Sequence, residues 1–210
     1  MPRDGLDMTL TAPVILPDLL QLTKAALGPV ETIFDIAREK LRATVTENDR
    51  ISGKLIEENQ TASHGLAWLA TYVESLRQMQ GWAERQQAEG GFSELEQLLL
   101  QITFGEYLWQ IYGGIPMNQG EILRLQDIGF GQDEMRAMMD ASVKTLTQGG
   151  NTQAARTRLV ELMQEQTGAT MYGTSGLDEE LEMIRDQFRR YSVEKIEPHA
   201  HEWHLKDELI

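Results

Sequence analysis

Glu106 is the first residue to weigh for chemistry, because it is a lone carboxylate in the apolar run ITFGEYLWQIYGG. A carboxyl group in apolar surroundings is the usual raw material of a general base. The competing reading turns it to the solvent side of its helix, and no histidine, nucleophile or ligand set accompanies it. His199, His201 and His204 crowd the segment PHAHEWH and invite a metal reading. Zinc sites draw three or four ligands at defined spacing, often including cysteine. The chain has no cysteine, and its one other histidine, His64, lies far away in sequence. The trio is therefore not assigned as a metal site. No phosphate-binding glycine loop is present. Met135, Met138 and Met139 read most simply as core filling. Lys206 to Leu209 spell KDEL, but that signal is read only at an extreme C-terminus, and Ile210 follows it.

Composition narrows the function classes. The 210 residues suffice for one or two domains. Hydrophobic residues make up 41%, which places the chain among globular rather than disordered sequences. The net charge of −14 opposes binding to nucleic acid or to an anionic membrane surface, since both depend on lysine and arginine. Zero cysteines exclude a disulfide framework and thiol catalysis. No apolar run approaches a membrane span, and MPRDGLDMTL lacks the apolar core of a secretory signal. A cytoplasmic location is the expectation.

The elements that must position these residues read as helices throughout. Residues 1–16 are expected as a loose arm, with Pro13 and Pro17 punctuating its end. A short helix from Pro17 should break at Gly28-Pro29, and a second should open there and run past Arg50. Leu66, Leu69, Val73 and Leu76 step by three and four within His64 to Ala88, an amphipathic helix closed by Gly90-Gly91. Ser93 and Glu96 form a capping box for the next helix. Leu95, Leu98, Leu99, Ile102, Leu108, Trp109 and Tyr112 make that helix apolar on more than one side, as a central bundle helix would be. Gly105 costs it about 1 kcal/mol of propensity, so a close helix–helix approach is expected there. Ile115 to Gly131 reads as a connection. Gln132 to Gln148 and Asn151 to Gln166 read as helices, and residues 167–176 as a glycine-rich linker. Leu177, Leu181, Ile184, Phe188 and Tyr191 then stripe a last helix that should face other helices. It should stop before Pro198. No strand pattern of useful length occurs. The fold class is all-α, an antiparallel helix bundle.

Three stretches carry a family resemblance. Arg185, Arg189 and Tyr191 followed by Ile196, Pro198, Ala200, Glu202 and Trp203 resemble the opening helix of the acyl-CoA dehydrogenases. Gln110 to Gly114, QIYGG, resembles the Q-x-x-G-G motif that helps hold FAD in that family's C-terminal bundle, except that Pro116-Met117 departs from its usual continuation. His64 to Ala83 and Leu98 to Ile122 resemble the helical N-terminal extension of the branch that oxidises a branched acyl-CoA such as methylsuccinyl-CoA. The resemblance implies an FAD enzyme in which a glutamate takes the α-proton and the flavin accepts hydride from the β-carbon. It also implies an acyl-CoA substrate and a homo-oligomeric parent enzyme.

The resulting expectation is an N-terminal portion of such an enzyme: arm 1–16, helical extension 17–166, linker 167–176, and the start of the family's N-terminal helical domain at 177–210. Its base, flavin domain and most of its acyl pocket would lie beyond Ile210. No catalytic, cofactor-binding or metal-ligating residue is assigned within the chain, and FAD is expected in the parent enzyme but not on this chain alone. The alternative is a non-enzymatic helical interaction module.

Overall fold

The computed structural model describes residues 14–165 and 175–209. The chain divides into two units, Met1–Thr174 and Ser175–Ile210. The all-α expectation holds: helices dominate the described residues, with two small antiparallel hairpins beside them.

Helix α1 spans Leu19–Val45 and buries Leu19, Ala26, Val30, Ile33, Ala37, Leu41 and Val45 along one face. The expected break at Gly28-Pro29 does not occur; Pro29 lies inside the helix. A proline ring clashes with the Cβ of the residue before it, and Gly28 has none. Ala26, Val30 and Ile33 are fully buried on either side, so packing offsets the one missing N–H. The helix also stops earlier than expected. Thr46–Glu47 (β1) and Arg50–Ile51 (β2) form a hairpin whose central residues, Asn48 and Asp49, have φ of 51° and 60°. Positive φ at both central positions is the signature of a primed turn, which asparagine and aspartate tolerate.

Helix α2 is Gly53–Glu58, capped by the Ser52 side chain, and α3 is Gln60–Glu89. Helix α3 buries Leu69, Val73, Leu76 and Ala83 and ends at Gly90, in the left-handed region at φ 76°. It runs antiparallel to α1: Lys24 meets Glu84, while Glu31 meets Arg77 one end further along. Between them Thr23 Oγ1 donates to buried Gln80 Oε1 at 2.7 Å, and Gln80 Nε2 returns a bond to the Leu20 carbonyl at 3.1 Å.

Helix α4, Glu94–Gly113, opens on the expected capping box, with Glu96 accepting from the Ser93 backbone N–H at 3.1 Å. Leu95, Leu98, Leu100, Phe104, Leu108 and Ile111 are all buried, and the helix touches α1 and α3. That is the central position its apolar composition demands. Trp109 is the exception, 59% exposed. The segment expected as a plain connection holds a hairpin, β3 (Ile115–Asn118) with β4 (Glu121–Leu123), then a 3₁₀ turn at Leu125–Ile128. Ile115, Met117, Leu123, Leu125 and Ile128 extend the core beneath it.

The helix expected over Gln132 to Gln148 is two helices, α5 (Gln132–Met138) and α6 (Ala141–Gly149). Asp140 divides them, its carboxylate accepting from the Val143 N–H at 2.9 Å as a new N-cap. Val143 and Leu146 are fully buried, whereas Met135, Met138 and Met139 only border the core. Helix α7 covers Gln153–Glu165. The end of the expected arm is pinned: Gln101, wholly buried, accepts from the Leu16 N–H at 2.7 Å and donates to the carbonyls of Val14 (3.0 Å) and Gly150 (3.1 Å). Residues 1–13, and 166–174 with most of the expected linker, lie outside the described residues.

In the second unit α8 covers Glu179–Tyr191, with Asp178 as N-cap. The expected stop before Pro198 is overturned. The chain widens into one π turn at Ser192–Ile196 and continues as α9, Glu197–Lys206, with Pro198 in its first turn. The Glu197 N–H bonds to Ser192, five residues back. The wider turn resets the ladder just before proline, and a first-turn position demands no N–H. Nor does the stripe on α8 meet other helices within its unit: Leu177, Leu181, Ile184, Phe188 and Tyr191 are 42–73% exposed. No helix among the described residues is long and apolar enough to cross a membrane.

Candidate functional site

Glu106 projects from α4 toward the N-terminal side of α7. Its Oε2 accepts from Asn151 Nδ2 at 2.6 Å, and its Oε1 accepts from Gln110 Nε2 at 2.6 Å, one turn further along α4. Gln110 Oε1 in turn accepts from the Tyr72 hydroxyl on α3. A half-buried chain of four side chains thus ties α3, α4 and the start of α7 together. Tyr72 stacks on Tyr107 with ring centroids 4.5 Å apart. Burial pushes the Tyr72 phenol up from its ordinary range, with help from Tyr107 and the Glu106 charge.

The approach of the backbones makes this network possible. A Cβ on Gly105 would lie 2.6 Å from the Asn151 nitrogen and 2.9 Å from Gly150 Cα. Gly105 is thus the close approach expected of it. Asn151 sits one residue beyond, close enough for its amide to span to Glu106. One atom is left over: Asn151 Oδ1 is buried with no hydrogen-bond partner.

Both oxygens of Glu106 therefore serve the fold. Two surface depressions of this unit lie elsewhere, one on α7 lined by Gln153, Arg156, Val160 and Gln164, another beside the start of α1 lined by Asp18, Gln87, Phe92 and Gln97. Neither is lined by Glu106.

Gln110 to Gly114 does not fit a flavin. The Gln110 amide is engaged at both ends, by Tyr72 and by Glu106. Gly113 is the last residue of α4, and the Gly114 N–H closes the helix on the Gln110 carbonyl at 2.7 Å. Gly114 has φ 138°, and a Cβ there would meet Ile122 Cγ2 at 2.7 Å. The two glycines are a helix end turning into β3. The Tyr112 hydroxyl donates to the Met138 carbonyl at 2.8 Å, and burial pushes that phenol far above its ordinary range.

His199, His201 and His204 all fall on α9. At about 100° per residue their side chains leave the helix in three different directions. His199 faces Trp203 at a centroid distance of 5.5 Å. Among the described residues no group of histidine, aspartate and glutamate side chains is arranged to hold a metal ion. Sequence reasoning missed Tyr72, Asn151 and Gln101. Tyr72 and Gln101 carry a polar group at a buried position and Asn151 at a half-buried one, but the partners lie 38 to 87 residues away, and no local pattern announces them.

No family model matches the chain. It is 56% identical over 201 residues to the (2S)-methylsuccinyl-CoA dehydrogenase of Cereibacter sphaeroides. That likeness covers 96% of this chain and 36% of the relative, so the chain spans about a third of the length of the curated relative it matches. The resemblance read from short segments thus extends over nearly all of the chain.

Proposed function

We propose that this chain is the N-terminal portion of an FAD-dependent acyl-CoA dehydrogenase. The parent enzyme oxidises a branched acyl-CoA such as methylsuccinyl-CoA to the enoyl-CoA. The observation that carries the reading is the near-complete likeness to a protein named for that reaction, combined with the third of its length that the chain spans. In the parent, FAD supplies the hydride acceptor, and the base and most of the acyl pocket lie outside these 210 residues. The parent is a cytoplasmic homo-oligomer.

Within it, residues 17–166 are a helical extension that acts as scaffold. The support is its chemistry: Glu106, Gln110, Asn151 and Tyr72 spend their polar atoms on one another. Residues 167–176 link it to the first helix of the catalytic part, 177–210. The exposed stripe of α8 also favours a second reading, a helical interaction module that binds a partner without catalysis.

Two preparations test this. The 210-residue chain, purified with added FAD, is expected to stay colourless and to reduce no electron acceptor with methylsuccinyl-CoA. The longer protein that carries this chain is expected to be yellow and to turn over. Turnover by the 210-residue chain, lost in Glu106→Gln, would move the active site into the extension. A longer protein without flavin or turnover would leave the interaction module.

A further inference from the structure

Along α8 the apolar residues Leu177, Leu181, Ile184, Phe188 and Tyr191 step by four and three. Beyond the π turn the same rhythm resumes, with Ile196, Ala200 and Trp203. Between the two runs, from Tyr191 to Ile196, the step is five. On an unbroken α-helix a step of five turns the next side chain by about 140°, at about 100° per residue. The apolar residues of α9 would then leave the stripe of α8.

The five-residue step falls where the ladder changes. The Glu197 N–H bonds to Ser192, five residues back, across the π turn Ser192–Ile196. Such a turn takes up one residue more than an α turn, so everything after it falls back by one helical position. Ile196, Ala200 and Trp203 thereby come into line with Leu181, Ile184 and Phe188. We infer that the π turn is a register device. It stores one residue so that α8 and α9 present a single apolar face from Leu177 to Trp203, and this face docks on the part of the longer parent protein that the chain does not span. The inference rests on reading the chain as the N-terminal portion of that parent.

Size and charge select this occupant. At about 1.5 Å per residue the face is about 40 Å long, the scale of a domain rather than of a short peptide. The stripe of α8 is 42–73% exposed, and Ile196 and Trp203 are half-buried. The arginines on its flank, Arg185 and Arg189, already pair with Glu182 and Asp186 of the same helix. An anionic ligand finds those cations taken, so the counterpart must be apolar. The relative, of which the chain spans 36%, has length enough for a domain-sized counterpart.

The readout is amide hydrogen exchange in peptides from α8 and α9. Both helices are expected to exchange slowly in the longer protein and fast in the 210-residue chain, where the face is open. Pro198 would disturb a plain α ladder by itself, so each variant of the longer protein carries Pro198→Ala. That change alone should leave α9 protected. With Glu194 also deleted, the ladder closes as a regular α-helix, the face stays in line, and α9 should again stay protected. With one alanine inserted after Glu194 instead, Trp203 turns by about 100°, and α9 should lose its protection while α8 keeps it. Loss of protection on deleting Glu194, survival of it on insertion, or loss in Pro198→Ala alone overturns the inference. So does a longer protein whose α9 exchanges as fast as that of the 210-residue chain. Protection that arises in the 210-residue chain as its concentration rises would give the face to a second copy, which also overturns it. Flavin colour and turnover are scored separately: a colourless longer protein with the expected exchange pattern strikes the flavin reading and leaves the docking face.

Discussion

Gly105 and Gly150 meet backbone to backbone: a Cβ on either would come within 2.9 Å of the other's Cα. This contact sets the distance between α4 and the α6–α7 junction, and so the reach of Asn151 to Glu106. Gly105→Ala should therefore destabilise the chain by about 1–3 kcal/mol through overpacking against backbone that cannot rotate away. The alanine gains about 1 kcal/mol of helix propensity, which is too little to reverse the sign. Gly81→Ala is the control. Its Cβ would meet only the far end of Arg85, at 3.4 Å, so the propensity gain should show as a higher urea midpoint. Two variants shifting in the same direction would disprove the packing account.

Glu106→Ala should cost about 1–3 kcal/mol, because it strands the amides of Gln110 and Asn151 in a half-buried site. Glu106→Gln keeps the shape but presents a donor to one of two donors, and should recover only part of the loss. Urea midpoints at neutral pH measure both. A Glu106→Ala variant as stable as the native chain would mean that the carboxylate faces water instead.

Alkali should weaken the first unit through its tyrosines. Tyr72 and Tyr112 are both held above the ordinary phenol range, Tyr72 by burial with Tyr107 and Glu106, Tyr112 by burial with Asp140. A raised acid pKa means that the folded state holds the proton more tightly than the unfolded chain. The stabilisation is complete below the unfolded value of about 10 and is lost as pH rises from there toward the folded values. The urea midpoint should thus be level from about pH 8 to about pH 9.5 and then fall. Tyr72→Phe with Tyr112→Phe should flatten that fall, while lowering the neutral-pH midpoint by about 1 kcal/mol per lost hydrogen bond.

Phe188→Ala should leave the urea midpoint of the 210-residue chain within about 0.5 kcal/mol, because the ring is 73% exposed. In the proposed parent enzyme the same change should cost about 3–5 kcal/mol, as for a ring buried among helices. Equal small effects in both proteins would mean that the stripe stays uncovered in the parent too.

The features legible in the sequence are those whose causes sit within a turn or two. The capping box of Ser93 and Glu96 and the glycine end at Gly90 each involve neighbours along the chain. The step of Leu69, Val73 and Leu76 reports one face of one helix, and in the first unit that face is buried. The all-α class follows from such local signals added together. Proline misleads twice because its cost is local but its outcome is not. Pro29 stays helical because Val30 and Ile33 are buried against other helices, and Pro198 because a π turn at Ser192–Ile196 resets the ladder before it. The role of Glu106 was likewise decided by Asn151, which comes within reach only where Gly105 and Gly150 let two backbones touch. A carboxylate's neighbours in sequence state how apolar its helix is. Which donors reach it depends on loop closure between distant segments, and that is settled only when the whole core packs.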